Sequence, residues 1–307
     1  MDFPAFYDPQ KVGTLYVPDV ASAIQAGRAL ESSPASKAQV KTILLLVDPQ
    51  VDFVHVDGKL SVPGAVEDTG RTIEWIFRNV NRITTIAASL DSHLPIQIFS
   101  PAWWRGPDDN HPEPYTVIRS SDVDAGMWTP LYESEWSLAY VEKLEEYSKK
   151  ELMIWPYHTL IGTPGHAITP ALYEAIAFHA SARQTQPVFL EKGMIAKTEY
   201  YSMLEPEVKV PDHPMGELNI SFLNMLASYD LIYVAGQAES HCVLETVTSI
   251  VRYFADQPAV LQKLRILEDC MSPVAHPTID FADIARKKFR RYAEQGLKIV
   301  NSTMPLR

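Results

Sequence analysis

Apolar residues in this chain gather into six short runs: TILLLVD (42–48), TTIAASLD (84–91), PVFLEK (187–192), LIYVAG (231–236), LRILED (264–269) and LKIVNS (297–302). Apolar and polar positions hardly alternate within them, as expected of strands buried on both faces of a parallel sheet. The segments between keep a different rhythm. VEDTGRTIEWIFRNVNRI (66–83), ITPALYEAIAFHA (168–180), ELNISFLNMLASY (217–229), HCVLETVTSIVRYFA (241–255) and TIDFADIARKKFRRYAEQ (278–295) carry apolar residues at helical spacing. Strand and helix alternate along the chain. This predicts an α/β fold, a doubly wound, mostly parallel six-stranded sheet with helices on both faces in a Rossmann-like three-layer arrangement. Sheets of this kind bind ligands outside the carboxyl ends of their strands.

Two segments break the repeat. Residues 1–40 hold one short helical pattern, DVASAIQAGRAL, and close on the polar, proline-interrupted ESSPASKAQ. They read as an N-terminal arm ahead of a domain spanning 41–307. Residues from about 100 to 150, SPAWWRGPDDNHPEPY through MWTPLYESEWSLAYVEKLEEYSKKE, are rich in Trp, Tyr and Pro and finish in an acidic-then-basic helix. They read as an insertion on the core, its aromatic residues forming a lid or subunit contact, or packing as a surface cluster of their own.

Composition narrows the classes of function. A chain of 307 residues, 46% of them apolar, can fill a sizeable core. A net charge of −11 without any cluster of Lys and Arg argues against nucleic acid as a partner. No run approaches the roughly 20 apolar residues needed to span a bilayer. The start MDFPAFYDPQ has neither a basic stretch nor an apolar one, so a cytoplasmic protein is expected, with no membrane partner. Two cysteines cannot build a disulfide framework.

The strand ends carry the chemistry. The first run ends in Asp48, the second in Asp91 with His93 close behind, the third in Lys192, and the fourth leads through GQAES to Cys242. A single polar residue at a strand end is usually a turn former or helix cap. A parallel sheet lines these four up on one edge. Cys242 falls in the first turn of a helix whose buried face is expected to hold Val243, Val247, Ile250, Val251 and Phe254. Helix N-termini lower a thiol's pKa and can receive an oxyanion. Lys192 is placed to stabilise a thiolate and Asp48 to take the thiol proton. The residues alone leave an ordinary buried cysteine equally open. Cys270, in LEDCMSP, reads as packing.

A second constellation joins Asp91 and His93 to His158 in WPYHTLIGTPGHA. Two histidines and one carboxylate suit a divalent metal, zinc foremost, with manganese or iron(II) as alternatives, and leave coordination positions open. His55, His111, His166, His179, His213 and His276 have no comparable pattern and read as structural or solvated.

Taken in order, these motifs resemble the isochorismatase-like cysteine hydrolases, and are most similar to the nicotinamidase/pyrazinamidase branch. LLLVDPQVDF resembles the family's opening strand, which implies Asp48 as a catalytic residue and Phe53 in the substrate pocket. SLDSH resembles the metal-binding Asp-x-His of Asp91 and His93. WPYHTLIGTPGHA resembles the segment in which Trp155 stacks on the substrate and His158 completes the metal site. FLEKG supplies a matching catalytic Lys192, YYSML places Tyr201 near the pocket, and VAGQAESHC resembles the nucleophile turn of Cys242. There the family carries a cis peptide, which maps to Gln237–Ala238, and an oxyanion hole, which maps to the N–H groups of Ala238 and Cys242.

The resemblance covers roughly residues 42–302 and implies hydrolysis of a small carboxamide, nicotinamide foremost, through a thioester. Carbamoyl, ureido or non-aromatic amides stand as alternative substrates, and a non-catalytic binding protein on the same fold as a remote one. A homo-oligomer is expected. Departures from the branch are Glu239-Ser240 before the nucleophile, placing acid near the pocket mouth, Gln97 where a further histidine is frequent, and Thr159 where a cysteine is frequent.

Overall fold

A computed structural model describes residues 3–148, 150–276 and 278–306. Lys149, at the basic end of the insertion, lies outside the described residues, as do the terminal Met1, Asp2 and Arg307 and the isolated Pro277. The central strands are β1 (Thr42–Val47), β2 (Thr85–Asp91), β3 (Val188–Lys192), β4 (Leu231–Gly236), β5 (Leu264–Leu267) and β6 (Lys298–Val300). Their spatial order is β6-β5-β4-β1-β2-β3, and every pairing is parallel. The longer helices are α1 (Val20–Ala29), α2 (Ala65–Asn79), α3 (Ser134–Lys143), α4 (Pro170–Arg183), α5 (Ile220–Ala227), α6 (Leu244–Tyr253) and α7 (Phe281–Ala293). The six-stranded parallel sheet and its flanking helices agree with the sequence reading. The fifth and sixth strands are shorter than their apolar runs, because Glu268–Cys270 turns into a 3-10 helix and Asn301 leaves the ladder.

Strand β1 shows why the apolar runs do not alternate. Ile43, Leu45 and Val47 pack to one side with Leu223 of α5, Val247 and Ile250 of α6, and Phe289 of α7. Leu44 and Leu46 pack to the other with Ile73 and Ile76 of α2 and Leu172 and Ile176 of α4. Both faces are covered, so neither can be polar. No helix among the described residues is long and apolar enough to cross a membrane.

The residues ahead of β1 lie on the α2/α4 side. Phe3, Phe6 and Tyr7 cluster around Phe77 and Phe178. Helix α1 seats on α4 so closely that a Cβ on Gly27 would meet the Phe178 carbonyl at 2.4 Å. The aromatic segment after β2 builds a third core. Trp103, Trp104, Ile118, Tyr140 and Leu152 pack with Phe53, Trp155 and Ala238, residues of the strand-end loops. It is not an isolated surface cluster, since it packs against these residues around the carboxyl end of the sheet.

His179, on α4, is buried, and its Nε2 lies 3.1 Å from the Ile83 carbonyl. Burial lowers its pKa to about 4, despite that hydrogen bond. A neutral imidazole in the fold that protonates freely when unfolded contributes stability that is present above pH 6.5 and lost as the pH falls toward 4. Between pH 7 and pH 5 the protein should therefore lose about 2 kcal/mol more unfolding free energy than its His179→Gln variant, as read from denaturant melts. Equal losses would show that this ring is solvated.

Candidate active site

The strand order reverses between β1 and β4, and a crevice opens where their connections leave in opposite directions. Asp48 and the Cys242 turn follow these two strands. Asp48 leaves the ladder with φ of 44°, in the left-handed region, and its N–H donates to Ser89 Oγ at 3.0 Å. Gly236 closes β4 at φ 124°, where a Cβ would lie 2.1 Å from the Val47 carbonyl oxygen, so glycine is required for the two strand ends to approach. The Gln237–Ala238 peptide is cis, as the resemblance implied. Cys242 lies in a π-helical turn, Glu239–Val243, that feeds α6, rather than in the first α-helical turn. The expected buried face, Val243, Val247, Ile250, Val251 and Phe254, is buried throughout.

Lys192, at the end of β3, reaches into this crevice and is about 1% exposed. Its Nζ lies 2.9 Å from Asp48 Oδ2, 2.8 Å from Asp91 Oδ1 and 3.7 Å from Cys242 Sγ, and donates to the Tyr200 carbonyl at 2.7 Å. Burial alone would strip the ammonium of its proton, but Asp48 and Asp91 outweigh it and hold its pKa well above the ordinary value. Burial also pushes Asp91 upward, yet His93 and Lys192 keep it ionised. Asp48 moves the other way, since burial raises its pKa more than Lys192 lowers it. Its Oδ1 accepts from Ser89 Oγ at 2.6 Å.

The thiol departs from the sequence expectation. Burial pushes the Cys242 pKa well above the ordinary value, and although Lys192 pulls it down, Asp48 and Asp91 add to the rise. Dehydration and two neighbouring carboxylates outweigh a helix terminus. Burial and the two carboxylates thus favour the thiol over the thiolate. Cys270 is packed in the core on the α2 side, its pKa raised to about 12 by burial.

Asp91 turns its second oxygen to the two histidines. His93 Nε2 is 2.8 Å and His158 Nε2 3.7 Å from Asp91 Oδ2, and the three residues offer ligand atoms all within 4.8 Å of one another. The Pro156 carbonyl, 2.7 Å from His158 Nδ1, can only accept, so that nitrogen carries the proton and Nε2 keeps its lone pair. Burial lowers the pKa of His93 against the opposing pull of Asp91. An ionised carboxylate with inward-facing imidazole nitrogens fits zinc or a similar divalent ion. The two loops are laced together, with His93 N–H donating to the Thr159 carbonyl at 3.1 Å and Thr159 N–H to Asp52 Oδ2 at 2.7 Å. Gln97 is not at the triad; its Nε2 donates to the Gly193 carbonyl at 2.7 Å.

These groups open on a small cavity lined by Phe53, Phe99, Trp155, Tyr201, Ala238 and Cys242 together with the triad. Phe53, Trp155 and Tyr201 are thus brought to one cavity with the thiol. Several wall residues escaped the sequence reading, Glu199 and His241 among them. Glu199 is buried, its pKa raised to about 7 by burial, and no pattern distinguished it in TEYYS. His241 precedes Cys242 and shares its turn, which was the available signal. Burial depresses its pKa to about 4. Glu239, expected near the mouth, does not line the cavity; its carboxylate lies 4.0 Å from Arg286 and its N–H donates to Ser272.

The all-parallel sheet with helices on both faces defines a three-layer α/β architecture, and a thiol, a lysine and a carboxylate meet at its switch point. No protein-family model and no curated protein matches the chain. Solved structures do. The Acinetobacter baumanii nicotinamidase/pyrazinamidase aligns with a TM-score of 0.56 at 18% identity, over 87% of this chain and 98% of that one. Yeast nicotinamidase bound to the inhibitor nicotinaldehyde gives 0.57 at 17%, over 85% and 99%. An L. infantum protein solved with nicotinate gives 0.50 at 16%, over 87% and 95%. The chain has the fold of the nicotinamidases and pyrazinamidases.

Gly193 offers a test of the triad. At φ 84° it passes so near that a Cβ would lie 2.7 Å from Asp91 Oδ1 and 2.9 Å from His93 Cε1. Gly193→Ala should weaken zinc binding by about tenfold or more, read by competition with a chelating dye. Undiminished affinity would show that the triad is not the metal site.

Proposed function

We propose that this protein is a cysteine amidohydrolase that converts a small carboxamide, nicotinamide foremost, to its carboxylate and ammonia. The observation that carries the reading is the convergence of Asp48, Lys192 and Cys242 at the switch point, against an aromatic-walled cavity that also holds the Asp91, His93 and His158 triad. A bland buried cysteine would need none of this company.

The chemistry follows from the arrangement. Cys242 Sγ attacks the amide carbon while its proton passes to Asp48, whose raised pKa suits a proton carrier. Lys192 offsets the negative charge that develops on sulfur as its proton leaves. The N–H groups of Ala238 and Cys242 hold the oxyanion. The C–N bond then breaks, the leaving nitrogen takes the proton from Asp48, and ammonia departs, leaving a thioester on Cys242. Water gives a proton to Asp48 as it attacks the thioester; the carbon–sulfur bond then breaks, Asp48 returns that proton to sulfur, and the acid leaves as its carboxylate with its own proton lost to solvent. A divalent ion held by Asp91, His93 and His158 would supply a Lewis-acid contact that fixes the substrate ring. Phe53 and Trp155 flank that ring, and Tyr201 borders it. The same reading takes the chain to be a cytoplasmic homo-oligomer.

Ammonia release from an amide panel tests the assignment. Cys242→Ala should abolish turnover in a folded protein. Nicotinamide or pyrazinamide should be cleaved with about tenfold or higher kcat/KM than a small aliphatic amide, since a good aromatic contact contributes about 0.5–1.5 kcal/mol and about 1.4 kcal/mol is a factor of ten. Trp155→Ala should narrow the ratio. A ureido or aliphatic amide outperforming both would move the assignment to another amide with the same three catalytic residues.

A further inference from the structure

Glu199 lines the cavity, but its carboxylate is committed to the walls. Oε1 accepts from Trp155 Nε1 at 3.3 Å and from the Tyr201 hydroxyl, and Trp155 Nε1 also donates to the Tyr201 hydroxyl at 2.9 Å. Oε2 accepts from the Tyr140 hydroxyl at 3.0 Å, which in turn accepts from the Glu199 N–H at 2.9 Å. Tyr140 is fully buried on α3, within the insertion, and does not line the cavity. The same helix grips this stretch a second time, where Trp136 Nε1 donates to the Lys197 carbonyl at 2.6 Å. A chain of hydrogen bonds therefore runs from the insertion, through one carboxylate, to two aromatic walls.

Two features make this more than packing. Trp and Tyr rings held only by dispersion keep freedom to rotate, whereas shared hydrogen bonds fix their planes. A carboxylate can accept from all three donors at once, which an amide cannot, because half of it donates. We propose that Glu199 is a positioning residue through which α3 sets Trp155 and Tyr201, and with them the preference for a flat aromatic carboxamide. This rests on the amidohydrolase reading for its substrate, but the clamp itself is separable from it.

The experiment compares Glu199→Ala, Glu199→Gln and Tyr140→Phe, the last removing one hydroxyl remote from substrate. Glu199→Ala should raise KM for nicotinamide about tenfold while kcat falls less than about threefold and KM for an aliphatic amide stays put. Glu199→Gln, which keeps one acceptor oxygen but loses the other, should recover only part of that loss, and Tyr140→Phe should shift KM in the same direction by about two- to fivefold. The near-ultraviolet circular dichroism of Trp155, taken as the difference between each protein and its Trp155→Phe counterpart, should weaken in Tyr140→Phe and collapse in Glu199→Ala. An unchanged Trp155 signal in folded Tyr140→Phe and Glu199→Gln overturns the clamp, as does an equal fall of kcat on every amide with KM unmoved. Should Glu199→Ala fail to fold, Tyr140→Phe decides. Should the parent turn over no pyridine amide, the substrate reading fails while the Trp155 signal still decides the clamp.

Discussion

A lysine ammonium taken out of water survives only when opposite charge replaces its hydration, and Lys192 meets that condition with two carboxylates at 2.8 and 2.9 Å. The arrangement ties distant parts of the chain together. Asp48 comes from β1, Asp91 from β2, Lys192 from β3 and Cys242 from the turn after β4. Each strand must end at the right height for the four groups to meet, so the parallel register of the sheet is also the alignment of the site. Removing one partner would leave a buried charge unpaired, a change that typically costs about 3–5 kcal/mol. The same ion cluster determines the state of the sulfur. With both carboxylates and burial acting against the thiolate, the thiol is the favoured form of Cys242.

Asp91 divides its work. One oxygen holds Lys192, and the other faces His93 and His158. A single carboxylate thus joins the proposed nucleophilic half to the half that fits a metal, and a shift in either is felt by both. Gly193 allows this by passing within what would be clash distance of Asp91 and His93 had it a side chain. Beyond the ions, the cavity walls belong largely to the third core, in which the insertion's Trp104 and Tyr140 pack with Phe53 and Trp155.

The core of this picture was legible in the sequence because its causes are local. Strands buried on both faces show as unbroken apolar runs, and their last residues, Asp48, Asp91 and Lys192, were visible as polar stops. The loops were legible in part from ligand chemistry, which singled out His158, and in part through motif resemblance, which supplied Trp155 and the cis peptide before Cys242. What escaped depends on three-dimensional neighbours. Glu199 looks like any surface acid until Tyr140, far away in the chain, is seen to cap it. Glu239 looked like part of the mouth, but its carboxylate turns toward Arg286. The thiol's pKa was misjudged because a helix terminus can be read from sequence whereas the degree of dehydration cannot.

The proposed chemistry requires an acyl group on Cys242. A rapid acid quench of the protein mixed with nicotinamide, followed by peptide mass analysis, detects it. A nicotinoyl group is expected on the peptide bearing Cys242, formed and lost at rates that match turnover, with Cys270 unmodified. Ammonia release with the acyl group on another residue, or with Cys242 unmodified throughout, would contradict it.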